Sequence, residues 1–495
     1  MDSRTPTAQT TGPRDLPARS GPGPNPCDRS PQKSGKVVGL AKIFIRTIRH
    51  FWPHFNDWVT ELPDTRFEEM VVYHRRFLLW WGLLLFCLKL GSRRQLDFQL
   101  RDLETCVLEN LNRFAQTEQD SLPVNKTLSH FLGHVGSEAL ADLRTTCVRT
   151  LIRNKVLDPA RFEGHFVIAV DGTGYLCFRQ RHCSHCLVHK NASSTYYLHP
   201  VLEAKLVHSS GVAISIGTEF IENPGECPQE VDPATLTDYE KVKQDCELKA
   251  FSRLAARLKK DFPQLPLLIS GDSLYACGPA LTLCELNHWS YALTFKPGRT
   301  PALWADFQGL LRLSPDNRLN CILPGDIQQR FRWINDMPYQ DSEGRDHVVH
   351  ALLCEETPPG QKTQTFAWLT NRRVNSGNVR AIATQAGRVR SKIENQGFNT
   401  QKNSGLNLEH AYSTDPDVMK AFYYLLQIAH LFLQMFEMGN LLRHLARRYD
   451  CATPLQMLGS LRNLPRWLLD ALRYFALGSE AFQSWSGQIR IFDSS

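Results

Sequence analysis

Hydrophobic and polar positions follow different periods in successive parts of the chain. Over residues 36–160 the apolar residues recur at helical spacing, which predicts a helical region. Between residues 161 and 271 they gather in short runs rich in β-branched and aromatic side chains, interrupted by a helical pattern at 238–261. The strand-like runs cover 166–170, 196–207, 212–221 and 265–271. Strands that alternate with a helix in this way predict an α/β sheet.

The pattern changes again after residue 288. Residues 289–371 contain further strand-like runs and predict a β-rich insertion, and helical periodicity returns at 417–448 and 461–476. The first 35 residues are rich in Pro, Gly, Ser and Thr, which predicts a disordered tail. The chain is thus predicted to have five parts: a tail at 1–35, a helical N-terminal region at 36–160, an α/β core from 161–288 and 372–446, the insertion at 289–371, and a helical C-terminal region at 447–495.

Composition is that of a globular chain with a mildly basic charge. The net charge is +7 and the pI is about 8.7, which permits a polyanionic partner without requiring one. The chain opens with no signal-peptide pattern, so we expect its cysteines to be reduced in the cytoplasm. The most apolar stretch, 77–90, has about a dozen residues before Lys89, whereas a membrane span needs roughly 20. We therefore expect a buried core helix there and no membrane partner.

The basic charge is concentrated between Arg372 and Lys402. This stretch has seven Lys or Arg residues and a single acid, Glu394, so it carries a net charge of +6. A solvated surface is one explanation of such a run. The other is that the cations contact phosphates and keep the carboxylate among them ionised.

A second basic set lies in the N-terminal region. Lys42, Arg46 and Arg49 recur at i, i+4 and i+7, so they share one helical face. Such a face is typical either of a surface helix in a bundle or of a helix that docks on DNA.

Three carboxylates occupy positions suited to metal-dependent phosphoryl transfer. Asp171 ends the apolar run 166–170, Asp272 ends the run 265–271, and Glu394 lies in the helical basic stretch. In α/β sheets, functional groups gather at the carboxyl ends of strands, where both aspartates are predicted. Two divalent ions about 3.5–4 Å apart can serve the attacking and leaving oxygens of a phosphodiester, and Mg²⁺ prefers such oxygen ligands. These three residues are the candidate catalytic and Mg²⁺-binding residues.

The motifs around these carboxylates resemble those of the DDE transposases of bacterial insertion sequences. They are V-D-G-T at 170–173, G-D-S-L-Y at 271–275, and R-S-K-I-E-N-Q-G-F-N-T-Q-K at 390–402 with L-E-H-A-Y at 408–412. One branch of that family has the motif Tyr-x2-Arg-x3-Glu-x6-Lys, and this chain keeps Arg390 and Glu394 at the family's spacing. It departs at the Tyr position, which is Gly387, and at the Lys position, where Gln401 stands and Lys402 follows.

The resemblance implies a ribonuclease H-like core, which is a mixed sheet with flanking helices, and often a β-rich insertion before the glutamate. It also implies Mg²⁺ or Mn²⁺ at the three carboxylates, cleavage of double-stranded DNA at transposon ends, and joining of the freed 3′-OH to target DNA. A homodimer on DNA, associated with the nucleoid, is the expected assembly. Candidate DNA contacts are Arg388, Arg390, Lys402, Lys42, Arg46 and Arg49. Two alternatives stay open: a ribonuclease H-like nuclease without strand transfer, and a non-catalytic DNA-binding protein derived from a transposase.

A cluster of Cys and His at 181–189 predicts half of a zinc site. Cys183 and Cys186 form a Cys-x2-Cys pair, and structural zinc needs four ligands. The other two ligands are either local or distant, and the alternative is a reduced polar hairpin without metal. The local candidates are His182 and His189, and the distant ones are Cys177, Cys227 and Cys246.

One further acidic pair, Asp245 and Glu247, lies in the predicted helix 238–261. Residues two apart face different directions on a helix. We therefore expect a mainly structural role for this pair, with the alternative that one of the two approaches the metal site.

Overall fold

The runs of β-branched and aromatic residues form the strands of one mixed sheet. A computed structural model of the chain describes residues 31–101, 105–191, 194–223, 245–483 and 487–492. The strands in these residues are β1 Arg161–Phe162, β2 His165–Phe178, β3 Leu187–Lys190, β4 Thr195–Val207, β5 Ala213–Phe220, β6 Leu267–Gly271, β7 Ser290–Thr294, β8 Arg318–Leu323, β9 Ile327–Gln340, β10 Asp346–Thr357 and β11 Gln364–Thr370.

The sheet combines antiparallel and parallel pairs around β2. Its strand order is β3-β4-β2-β6-β7-β11-β10-β9-β8, with β1 beside β2 and β5 beside β4. β2 is antiparallel to β4, and β4 is antiparallel to β5. On the opposite side of β2, β6 and β7 run parallel to it. The predicted α/β class is therefore confirmed, as a mixed sheet with flanking helices.

The strands of the predicted insertion continue this sheet instead of forming a sheet of their own. β11 pairs antiparallel with β7, and β10, β9 and β8 follow in antiparallel order. The first strand-like run of the predicted insertion, 289–295, holds β7, which runs parallel to β6. Residues 301–313 are helical, so the strands added beyond β7 begin at Arg318.

Helices in the described residues lie before β1, between the strands, and after β11. Before β1 they are Pro31–Phe51, Phe55–Thr60, Arg75–Cys87, Arg93–Leu100, Val107–Ala115, Asn125–Val135 and Ser137–Arg153. Between strands they are Glu247–Asp261, Gly278–Leu286 and Pro301–Leu313. After β11 comes a helical segment over 379–403, followed by Pro416–Met438, Asn440–Arg448, Pro454–Leu458 and Asn463–Tyr474.

The N-terminal and C-terminal helices share one core. Phe44 packs edge-on against Phe436 with ring centroids 5.3 Å apart, and Trp52 lies 4.7 Å from Phe432. The buried apolar residues form one continuous cluster that also includes the sheet. Buried residues before and after position 160 belong to this one cluster, so the packing is continuous across the predicted domain boundary.

The predicted tail and one predicted helix extend beyond the residues that the structure describes. Residues 1–30 of the predicted tail and 238–244 of the predicted helix lie outside the described residues, and helix Pro31–Phe51 begins inside that tail. The apolar stretch 77–90 forms helix Arg75–Cys87, in which every residue from Phe77 onward is buried. In the described part of the chain, no helix has the length and apolarity to cross a membrane.

Candidate carboxylate site

Asp171 lies on β2, and Asp272 directly follows the neighbouring parallel strand β6. β2 is longer than predicted and continues to Phe178, so Asp171 lies inside the strand and not at its end. The β2–β6 pairing ends at Ala169 and Ser270, two residues before each aspartate. Both carboxylates therefore follow the last shared pair at the same edge of the parallel part of the sheet. Asp272 accepts a hydrogen bond from the Leu274 backbone N–H at 2.8 Å, which holds its side chain at the start of a helical turn.

Arg390 brings the helical glutamate to the strand aspartate. Its Nη2 lies 2.8 Å from Glu394 Oε1, and its Nη1 lies 3.3 Å from Asp171 Oδ2. The Glu394 side chain is 52% exposed, whereas that of Asp171 is 19% exposed. The third predicted carboxylate thus lies on the solvent side of the first, and one guanidinium contacts both.

Glu247 is a fourth carboxylate at this place. It begins helix Glu247–Asp261 and accepts a hydrogen bond from the Tyr275 hydroxyl at 3.3 Å. Its carboxylate lies against Gly172, where an added Cβ would be only 2.3 Å from Oε1. Its neighbour Asp245 instead pairs with Arg253 at 2.6 Å. The expectation of a mainly structural pair therefore holds for Asp245 and is corrected for Glu247, because the helix begins there and directs Glu247 toward β2.

The pKa of Asp171 reports how closely these groups lie together. Burial, and then the negative charges of Glu394, Asp272 and Glu247, raise it to about 7 against the opposing effect of Arg390. Burial and the charge of Asp272 also raise the pKa of Glu247. Burial is thus the largest cause of the raised Asp171 pKa, and the three carboxylates gathered around it add to the effect. Such a site is suited to a cation.

The helical segment 379–403 departs from regular α geometry at this site. It contains i→i+5 turns over Ile382–Gly387 and Ile393–Asn399, and turns of this kind occur frequently at functional sites. Gly387 lies in the first of them, and an added Cβ there would be 2.4 Å from Trp368 Nε1. The Trp368 indole therefore takes the space that a side chain at this position would need.

Gln401 and Lys402 follow the second wide turn and have different environments. Gln401 is fully buried, with its Nε2 2.8 Å from Gln427 Oε1 and 3.0 Å from His430 Nδ1. Lys402 remains partly exposed and pairs with Glu409 at 2.8 Å. An i→i+5 turn holds about one residue more than an α turn, so the extra residue between Glu394 and Lys402 is accommodated in the helix.

Most cations of the basic stretch have acidic partners from other segments. Five of its seven basic residues form ion pairs within the described chain. The pairs are Arg372–Glu163, Arg373–Asp336, Arg388–Glu356, Arg390–Asp171, Arg390–Glu394 and Lys402–Glu409. Arg380 is exposed, Lys392 is partly exposed, and neither has an ionic partner among the described residues. The linear charge of +6 therefore overstates the free positive charge at the site.

The three basic residues of the N-terminal helix differ in exposure. Arg49 is buried and donates a hydrogen bond to the Phe114 carbonyl at 2.8 Å. Lys42 pairs with Glu480 at 2.9 Å, and Arg46 is partly buried. Helix Pro31–Phe51 is buried around most of its circumference, because helices of the C-terminal region cover it. The proposed DNA role of Arg49 is corrected to one in core packing.

The Cys and His residues at 181–189 do form a cluster, with one change of member. The side chains of His182, Cys183, Cys186 and His199 have ligand atoms that all lie within 4.8 Å of one another. His189 is exposed on β3 and is not part of it, so His199 of β4 takes the place predicted for His189. The hairpin pairing of β3 with β4, which sequence spacing does not reveal, brings His199 to the loop.

Comparison with known proteins adds no assignment. No protein-family model matches this chain, and no curated protein matches it. The site must therefore be interpreted from its own chemistry and from the motifs that surround it.

Proposed function

We propose that the chain is a DDE transposase that cuts DNA at transposon ends and joins the 3′-OH to target DNA. The observation that carries the proposal is the convergence of three carboxylates that are more than a hundred residues apart in the chain. Arg390 joins Asp171 to Glu394, and Asp272 lies close enough to Asp171 to raise its pKa. Their order of strand, strand and helix is the one that the motif resemblance implies.

The sheet supports a ribonuclease H-like core. β4 runs antiparallel to both β2 and β5, and β6 and β7 then add parallel to β2 on its other side. The resulting order β5-β4-β2-β6-β7, with the first aspartate on its central strand, is compatible with such a core. The strands between β7 and the helical segment 379–403 correspond to the insertion before the glutamate.

The donor set fits Mg²⁺ or Mn²⁺. Asp171, Asp272, Glu394 and Glu247 present carboxylate oxygens, which hard divalent cations prefer, and the last three lie close enough to Asp171 to help raise its pKa. Ions bound there would stabilise charge on the attacking and leaving oxygens of a phosphodiester. Asp171 and Asp272 are the inner ligands in this proposal because the sheet holds them, and Glu394 closes the site from the helix.

The remaining side chains orient the carboxylates and the DNA. Arg390 holds Glu394 toward Asp171 and carries the positive charge that lies nearest to an incoming phosphate. Arg380 and Lys392, on the same helical segment, are the cations available for flanking phosphates. Arg388 stacks on Phe366 and pairs with Glu356, so it secures the helix to the sheet.

The test uses the full chain and end-labelled DNA that carries the inverted repeats flanking its gene. With Mg²⁺ the wild-type protein is expected to cut at the repeat ends, and Asp171→Asn, Asp272→Asn and Glu394→Gln are each expected to abolish cutting. Glu343→Gln is the matched control, because Glu343 lies in an exposed ion pair with Arg345 on the β9–β10 hairpin.

The same reaction separates the proposal from its alternatives. Joined products with a second, unlabelled duplex support a transposase. Cutting without joined products would indicate a nuclease, and binding without any cutting would indicate a non-catalytic DNA-binding protein. Equal cutting by wild type and all three carboxylate variants would refute the site assignment.

A further inference from the structure

The cluster of two cysteines and two histidines lies outside the carboxylate site and has its own geometry. His182, Cys183 and Cys186 lie in the loop after β2, and His199 lies on β4. Cys186 and His199 are each 1% exposed. The cluster therefore combines two buried ligand residues with two partly buried ones, His182 and Cys183.

Four of the six distances among the ligand atoms lie within about 0.3 Å of the edges of a zinc tetrahedron. With Zn–S bonds of about 2.3 Å and Zn–N bonds of about 2.0–2.1 Å, those edges are about 3.8 Å for S–S, about 3.6 Å for S–N and about 3.3 Å for N–N. Cys183 Sγ lies 3.5 Å from Cys186 Sγ, and His199 Nε2 lies 3.5 Å from the first sulfur and 3.3 Å from the second. His182 Nε2 lies 3.1 Å from His199 Nε2.

We propose that His182, Cys183, Cys186 and His199 bind one structural zinc ion. Four protein ligands complete a tetrahedral shell, so the site has no open position for a substrate and is structural instead of catalytic. The two sulfurs are not bonded to each other at 3.5 Å, and both are available as ligands. The proposal does not rest on the transposase assignment, since it follows from these four side chains alone.

An outer carboxylate supports the same assignment. Glu222 Oε1 lies 3.8 Å from His199 Nδ1, the ring nitrogen that faces away from the cluster. Metal-bound histidines commonly direct this second nitrogen toward a carboxylate, which orients the ring. Glu222 also pairs with Lys420 at 2.7 Å, so this outer contact extends to helix Pro416–Met438.

A zinc ion would also stabilise the chain segment that precedes Glu247. Asn223 donates from its side chain to the Cys186 carbonyl at 3.1 Å and from its backbone to the His185 carbonyl at 3.2 Å. Its Oδ1 accepts from the Asp245 backbone N–H at 3.3 Å, two residues before Glu247. A zinc ion that holds the cysteine loop therefore holds the chain segment from which Glu247 enters the carboxylate site.

Metal analysis of the native full-length chain tests the proposal. Protein purified without chelator or added metal is expected to contain one zinc per chain. Cys186→Ser and His199→Asn are expected to lose it, whereas His189→Asn retains it, because His189 is exposed and outside the cluster. A zinc content that falls in His189→Asn but not in His199→Asn would refute the ligand set.

Cobalt replacement provides a readout that does not depend on the folding of variants. Wild-type protein exchanged with Co²⁺ is expected to show the absorption of a tetrahedral ion with thiolate ligands. The proposal would be overturned if the native protein contained no zinc and the exchanged protein showed no thiolate-to-cobalt band. A Cys183–Cys186 disulfide in the native state would also overturn it. DNA cutting is measured separately, so failure of the zinc assignment and failure of the transposase assignment are distinguishable.

Discussion

Arg390 lies 219 residues after Asp171 in the chain, and its Nη1 lies 3.3 Å from the Asp171 carboxylate. This contact joins the helical segment 379–403 to the central strand of the sheet. It also places one cation among carboxylates that otherwise repel one another. The electrostatic balance between Arg390 and these carboxylates leads to measurable consequences.

Asp171→Asn is expected to stabilise the metal-free protein at pH 8. Because burial and neighbouring charges raise the Asp171 pKa to about 7, the folded state binds this proton more tightly than the unfolded state. The contribution of Asp171 to stability is therefore fully present below about pH 4 and is lost as the pH rises toward 7. We expect the variant to gain on the order of 4 kcal/mol over wild type at pH 8 and nothing near pH 4.

Thermal unfolding in EDTA between pH 4 and 8 measures this difference. Asp326→Asn is the control, since Asp326 is exposed in the β8–β9 turn, and its Tm is expected to follow wild type throughout. If the Asp171→Asn gain were the same at every pH, Asp171 would not be the titrating group.

Gly172→Ala is expected to displace Glu247 from the site. The new Cβ would lie 2.3 Å from Glu247 Oε1, a separation at which one of the two must move. Gly174→Ala on the same strand is the matched control, because nothing lies within 4 Å of its Cβ position. DNA cutting and the Tm increase on addition of Mg²⁺ are both expected to fall in Gly172→Ala and to persist in Gly174→Ala. Equal behaviour of the two alanine variants would contradict the placement of Glu247.

Glu247→Gln is expected to weaken divalent-ion binding. Ligands that bind only the folded state raise Tm, so loss of one carboxylate reduces the Tm increase at a given Mg²⁺ concentration. Asp245→Asn removes a charge two residues away that pairs with Arg253, and we expect it to keep the wild-type increase. A titration of Tm against Mg²⁺ and Mn²⁺ compares them. An unchanged response in Glu247→Gln would restrict the metal ligands to the other three carboxylates.

Lys392→Gln and Arg380→Gln are expected to lower affinity for DNA, whereas Arg49→Met is not. The first two remove cations without an ionic partner in the described chain, and each lost phosphate contact reduces the slope of log K against log salt by about 0.9. Arg49→Met removes a buried hydrogen bond to Phe114, so it is expected to cost on the order of 1 kcal/mol of folding stability instead. Fluorescence anisotropy at several salt concentrations, with parallel unfolding curves, separates the two effects. Weaker DNA binding by a folded Arg49→Met protein would restore this helix as a DNA contact.

Local sequence patterns identified the residues of the carboxylate site better than they predicted the strand pairing around those residues. The runs 166–170 and 265–271 are hydrophobic enough to identify two buried strands, and the aspartates that follow them were found from this signal. The continuation of β2 beyond Asp171 was missed, because Gly172 and Gly174 interrupt the strand-like pattern while β4 supplies the pairing that keeps the chain extended. Pairing with a distant strand is not encoded in the local period of the sequence.

Among the sequence signals, the linear charge pattern predicted the exposed basic surface least well. Basic residues that are clustered in sequence, such as Arg372 and Arg388, pair with acids on distant elements, and the N-terminal helix is covered by helices more than 350 residues later. Linear charge counts cannot include these partners, because they become neighbours only when the chain folds.

Residues near one another in the chain were enough to predict the alternation of strands and helices, the carboxylates Asp171, Asp272 and Glu394, and the Cys183–Cys186 pair. Three features became visible only in the folded chain: Glu247 joins the carboxylates, His199 replaces His189 in the cysteine cluster, and Arg49 is buried. All three have one cause. Sheet pairing and helix packing bring together side chains from distant segments, and the free energy that selects those contacts comes from burial of the whole core.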